Sequence, residues 1–216
     1  MSEAKANVLH LGASIIEAKA VCIFIHGRGQ SPEAMNDHVI SRLKSSDVAY
    51  LLPRAPTGSW YDAKAVDPLT ARTRQQLDEA LVPISISANA IPKSKPLVIG
   101  GFSQGACLAL EYAMKNGAWN GAMVNFTGCR VGTTNDERPR AALLNMPVYL
   151  TGSNVDPWIP IKAWAEAAEA LNTSGARLRS ETFPGRAHEV SDAEVRILDQ
   201  MLHSLASGSD IWGAAS

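Results

Sequence analysis

The chain has 216 residues, 46% hydrophobic and 19% charged, which is enough apolar material for one sizeable core. Twenty basic against twenty-one acidic residues leave a formal charge of -1, which excludes the general attraction to nucleic acid or acidic lipid that a strongly basic chain would have. The longest apolar run, residues 20–25, is too short to span a bilayer, and "MSEAKANVLHLG" at the start lacks the apolar core of a signal peptide, so the expected location is the cytoplasm with no stable membrane insertion.

In chain order, residues 8–12 read as an antiparallel edge strand and 21–26 as a buried strand. Met35, Val39 and Leu43 then fall at four-residue spacing, the mark of a helix face. A strand is expected at 49–53. A helix is expected over 69–90, with Pro83 either kinking or dividing it. Strands follow at 97–102, 122–127, 148–152 and 177–183. Ile161, Trp164, Ala165, Ala168 and Leu171 are expected to share one helical face, as are Ile197, Leu198, Met201, Leu202 and Leu205. The segment 208–216 reads as a loose tail apart from Ile211 and Trp212. Strands alternating with helices predict an α/β fold: one domain over 1–216, with a mostly parallel central sheet covered by helices on both faces. Cys22, Cys107 and Cys129 are odd in number and widely spaced, so they read as buried free thiols rather than metal ligands or a disulfide framework. Nothing in the sequence calls for a metal or a cofactor.

The strand at 97–102 runs straight into Gly101-Phe102-Ser103-Gln104-Gly105, and "ACLALEYAMK" follows with strong helix propensity. A sharp strand-to-helix turn would project Ser103 from the sheet in a strained conformation. Side chains two positions either side would collide with that turn, which accounts for both glycines. The helix beginning near Gln104 would aim free N–H groups and the positive end of its dipole at the serine. A serine used this way needs a base, and the base needs an acid to orient it. On this architecture the partners follow in the order serine, acid, histidine. Asp156 stands just beyond the strand at 148–152, and His188 just beyond the strand at 177–183. Both therefore lie at strand C-terminal ends, where open α/β sheets bind ligands. His10, His38 and His203 read as surface residues, Asp192 and Asp199 as solvated positions of the last helix, and Glu189 as pointing away from His188.

Acyl transfer also needs donors for the oxygen that becomes negative. One is expected to be the backbone N–H of Gln104, the residue after the nucleophile. The other is expected in His26-Gly27-Arg28-Gly29, a loop between a buried strand and a helix capped by Ser31 and Pro32, and the N–H of Arg28 is the candidate. The Arg28 side chain is expected outside this hole, paired with an acid or facing an anionic part of the substrate. Trp60, Tyr61 and Trp158, three large aromatics on loops near the inferred site, read as an apolar acyl or aryl pocket.

These segments together resemble the phospholipase/carboxylesterase family of α/β-hydrolases. The likeness covers nearly the whole chain and rests on "HGRGQSPEAM", "PRAPTGSWYD", "GGFSQGACLAL", "TGSNVDPWIP" and "FPGRAHEV". The resemblance implies a small lidless α/β-hydrolase, often a homodimer, acting on esters or thioesters without a metal. It also implies that Ser103, Asp156 and His188 are the triad and that Arg28 and Gln104 supply the oxyanion donors. The first loop reads H-G-R-G-Q where the family's thioesterase and lysophospholipase branch usually has H-G-L-G-D. The expected substrate is accordingly a small to medium ester, with a thioester, a lactone or a ring-cleavage product as alternatives, and a ligand receptor as the non-enzymatic reading of the same fold.

Overall fold

The structure, a computed structural model, describes residues 8–213. Residues 1–7 of the opening segment and the last three residues of the expected tail lie outside the described residues. A seven-stranded sheet runs through the molecule in the order β1-β3-β2-β4-β5-β6-β7. Its strands are β1 Val8–Gly12, β2 Ala20–Ile25, β3 Val48–Pro53, β4 Leu97–Phe102, β5 Gly121–Phe126, β6 Pro147–Gly152 and β7 Arg177–Thr182. β1 pairs antiparallel with β3, and every other pairing is parallel. The α/β-hydrolase architecture expected from the sequence is therefore what the chain adopts.

Two apolar layers form because residues of a strand alternate between faces. In β2, Val21, Ile23 and Ile25 enter one layer, while Ala20, Cys22 and Phe24 enter the other. The first layer is covered by α2 Ala71–Asn89, α3 Gln104–Asn116 and α4 Ile161–Thr173. The second is covered by α1 Pro32–His38 and α5 Asp192–Ser207. Cys22, Cys107 and Cys129 are all buried free thiols, and burial pushes the Cys22 thiol up to about 12.

Several local expectations need correcting. α2 runs through Pro83 as one helix, which overturns only the alternative that Pro83 divides it. Its buried positions, among them Thr73, Leu77, Ala80, Leu81 and Ile84, form one stripe, while Glu79 lies on the exposed face. The Glu79 carbonyl, which loses its helical donor to the proline, can therefore turn to water without breaking the helix. α1 stops at His38, and a 3-10 turn, Ile40–Arg42, follows instead of a longer helix through Leu43. The break falls at Val39, whose φ of -129 and ψ of -62 lie outside helical geometry while its side chain and that of Ile40 both enter the core. In α4, Ile161 and Ala165 are exposed, and the inward stripe is Trp164, Ala167, Ala168 and Leu171. At the C-terminus Ile211 and Trp212 pack on the second layer, and Asp210 joins them by pairing with Arg177 (3.0 Å). The expectation of a loose tail therefore fails at Asp210, which is held by an ion pair.

Candidate active site

The turn between β4 and α3 places Ser103 at φ 56 and ψ -119, a region that L-residues rarely occupy. Its N–H donates to the Phe126 carbonyl (2.9 Å), and its carbonyl receives the Cys107 N–H (2.9 Å), so the strained residue is held from both sides. The flanking glycines are required by neighbours the sequence did not identify. A Cβ on Gly101 would stand 2.6 Å from both the Gly105 backbone and the Ile25 carbonyl, and one on Gly105 would stand 2.1 Å from the Ile25 carbonyl. The crowding comes from the adjacent strand β2 as much as from the turn itself.

Asp156 sits on the loop after β6 and His188 on the loop after β7. His188 Nε2 lies 2.8 Å from Ser103 Oγ, and its Nδ1 lies 2.7 Å from Asp156 Oδ2. Since a carboxylate only accepts, Nδ1 carries the proton and Nε2 is left free to accept from the serine hydroxyl. The second carboxylate oxygen of Asp156 receives the N–H groups of Trp158 (2.9 Å) and Ile159 (2.8 Å), which fixes the acid's orientation. The Asp156 side chain is wholly buried, whereas that of His188 keeps an 18% opening to solvent. The imidazole lies against the Phe102 ring, with centroids 4.8 Å apart. The three side chains expected together thus meet at one point. His10, His38 and His203 are exposed, Asp192 is exposed, and Asp199 accepts the N–H groups of Lys44 and Ser45.

The His26–Gly29 loop lies against the serine: a Cβ on Gly27 would be 3.3 Å from Ser103 Cβ. Gly27 N–H donates to Gln30 Oε1 (3.0 Å), and Gly29 N–H donates to the Gly58 carbonyl (2.8 Å). His26 is buried with both ring nitrogens engaged: Nδ1 donates to the Gly27 carbonyl (2.8 Å), and Nε2 accepts from Ala55 N–H (3.0 Å). Burial holds its pKa below the usual value, so the neutral ring is a structural brace for this loop. The Arg28 guanidinium pairs with no acid among the described residues. It donates to the carbonyls of Asp62 (3.1 Å) and Ala63 (2.6 Å) and lies over the Tyr61 ring. Gln104 ties the same segment to the elbow, accepting from Trp60 N–H (2.9 Å) and donating to the Tyr61 carbonyl (2.8 Å).

A cavity of about 390 Å³ opens beside Ser103 and His188, lined by Tyr61, Val66, Trp158 and Ile159 among others. Trp158 stands 60% exposed at its rim. Trp60 departs from expectation. It is buried, stacks near His26, and donates its indole N–H to the His26 carbonyl (2.9 Å), so it supports the glycine loop and does not line the cavity. Among the described residues no group of three or more His, Cys, Asp or Glu side chains could hold a metal ion. No helix among them is long and apolar enough to cross a membrane.

Sequence reasoning missed Arg186 and Glu194. Glu194 is fully buried in the first turn of α5, and Arg186 pairs with it from the loop carrying His188. The available signal was Ser191-x-x-Glu194 ahead of an apolar run, a helix-start signature with both reciprocal bonds present here.

The family described as Phospholipase/Carboxylesterase matches residues 10–206. Acyl-protein thioesterase 1 of Gibberella zeae is 24% identical over 211 residues, covering 85% of this chain and 89% of that protein. Carboxylesterase SOBER1 of Arabidopsis thaliana is 22% identical over 223 residues, covering 89% and 93%. Among solved structures, a phospholipase/carboxylesterase from Dyadobacter fermentans is 27% identical with a TM-score of 0.81, covering 94% of this chain and 99% of that one.

Proposed function

The chain belongs to the phospholipase/carboxylesterase family and is a serine hydrolase of the esterase type, and from that premise we propose that it hydrolyses small to medium carboxylic esters through Ser103, His188 and Asp156. What supports this reading is the unbroken run of contacts from Asp156 through His188 to Ser103, at 2.7 and 2.8 Å. His188 Nε2 takes the hydroxyl proton as Ser103 Oγ attacks the ester carbonyl. The backbone N–H groups of Arg28 and Gln104 receive the oxyanion, Gln104 N–H standing in the first turn of α3, where a helix supplies no acceptor of its own. His188 then returns the proton to the departing alcohol, leaving Ser103 acylated. Water repeats the sequence and releases the acid, while Asp156 orients the imidazole and stabilises its cation in both halves.

The cavity of about 390 Å³, with Tyr61 and Trp158 on its wall and rim, suits a short acyl or aryl group. Short-chain aryl esters are therefore expected to give the highest kcat/KM in a series of graded acyl length, and a maximum at decanoyl or longer would remove this substrate class. A thioester is the second reading, favoured by the names of relatives such as acyl-protein thioesterase 1 of Gibberella zeae, and thioacyl members of the same series compare the two directly.

The central test is covalent labelling by a fluorophosphonate. The native protein should be labelled. Ser103→Ala should fold normally, take no label and lose about 10³-fold or more of its turnover. Turnover retained in Ser103→Ala would mean a different nucleophile, and a native protein that never labels would favour the receptor reading.

A further inference from the structure

The loop that carries His188, residues 183–190, contains no regular structure, yet it must hold an imidazole within hydrogen-bond reach of two partners on other elements. The structure shows what holds it. Arg186, two residues before His188, extends its guanidinium into the protein, where the side chain is only 7% exposed. Nη2 donates to Thr127 Oγ1 (2.6 Å), just past β5, where Thr127 has φ 56. Nη1 donates to the Glu189 carbonyl (2.7 Å) and pairs with Glu194 Oε2. The carbonyl of Arg186 itself receives Ser153 Oγ–H (2.7 Å) from the loop that carries Asp156. The backbone is thus tied on both sides of His188, at Arg186 and at Glu189.

Glu194 is the counter-charge that allows a guanidinium to be buried there. Its carboxylate also receives Thr151 Oγ1–H from β6 and both the N–H (2.7 Å) and the Oγ–H (2.8 Å) of Ser191. Capping α5 needs only one carboxylate oxygen and no burial, because a helix N-terminus on the surface is capped equally well. Full burial and a second set of donors, one of them charged, go beyond capping. A buried ion pair adds little net stability compared with apolar packing, so its use here points to geometry.

We propose that Arg186 and Glu194 are a positioning pair for the hydrolase reaction, fastening the histidine loop to the ends of β5 and β6 and to the start of α5 so that His188 stays aligned between Ser103 and Asp156. Neither residue touches substrate. This rests on the reading of Ser103 and His188 given above.

Glu194→Gln is the sharpest variant, since the one glutamine oxygen can keep the cap at Ser191 while the charge facing Arg186 and the acceptor for Thr151 Oγ1–H are lost. Arg186→Lys retains charge but cannot reach Thr127 and the Glu189 carbonyl together. The double change Arg186→Met with Glu194→Met removes both charges, so no orphaned ion is left to unfold the protein. Each is assayed well below its melting temperature, with native circular dichroism, on a short-chain p-nitrophenyl ester. The expected result is a kcat lowered about 10- to 100-fold with KM nearly unchanged, and a parallel fall in the fluorophosphonate labelling rate, as misalignment of a catalytic group requires. Should Glu194→Gln fail to fold, Arg186→Lys and the double variant carry the same test. Any folded member of the set with kcat within about twofold of native overturns the proposal. Failure of the esterase reading itself is separate, because it appears as an unlabelled native protein or an active Ser103→Ala.

Discussion

The proposed nucleophile and its proposed base are held by opposite means. Ser103 is positioned by backbone: β4 on one side, the first turn of α3 on the other, and a close approach to the Ile25 carbonyl that leaves no room for a Cβ at Gly101 or Gly105. His188 stands on a loop fixed largely by side chains, among them Arg186 and Ser153. A site built on steric exclusion tolerates almost no substitution, whereas one built on hydrogen bonds degrades step by step as each is removed. The serine therefore has one permitted place, while the histidine has a place that several residues jointly enforce.

Gly105→Ala is the most severe way to probe this difference. Its new methyl would meet the Ile25 carbonyl at 2.1 Å and the His26 carbonyl at 2.7 Å, both backbone atoms of the sheet and the adjoining loop. Overpacking of this kind should cost about 3 kcal/mol, outweighing the ~1 kcal/mol that alanine gains over glycine in a helix. Urea denaturation and turnover should fall together, and a variant of native stability would show that the elbow can give way. Glu194→Gln comes next, slowing turnover while the fold persists. Ser153→Ala is the mildest. It removes the bond to the Arg186 carbonyl and a longer one from Val155 N–H (3.4 Å), and should cost about 1 kcal/mol with a few-fold loss of kcat. A loss beyond a hundredfold would mean that the histidine loop has no redundancy and is as brittle as the elbow.

The elbow was legible in the sequence because its causes are close together along the chain: an apolar run, a serine between glycines, then helix formers. Asp156 and His188 were legible for a related reason, since each follows a recognisable strand and their order matches the architecture. The neutral brace His26 was recognised only as the first residue of its loop, for its partner is the N–H of Ala55. Trp60 was assigned to the cavity because its segment was placed correctly, but which way an indole turns depends on an acceptor, the His26 carbonyl, that lies 34 positions away. Arg28 was expected to pair with an acid or to face an anionic part of the substrate, and its guanidinium donates to two carbonyls, contacts that no side-chain pattern records. The brace behind His188 draws on β5, β6, two loops and α5, and only its Ser191-x-x-Glu194 fragment is local enough to notice.

By itself the sequence determined the alternation of strand and helix, the position of the turn carrying Ser103 and the chain order of its partners, because periodicity, glycine placement and helix propensity are properties of neighbouring residues. Only the tertiary structure decided which atom crowds the glycines, which aromatic borders the cavity and what steadies the histidine. Those outcomes depend on carbonyls and buried charges brought together from distant strands, and a one-dimensional pattern of polarity specifies which face a residue turns inward without specifying what it meets there.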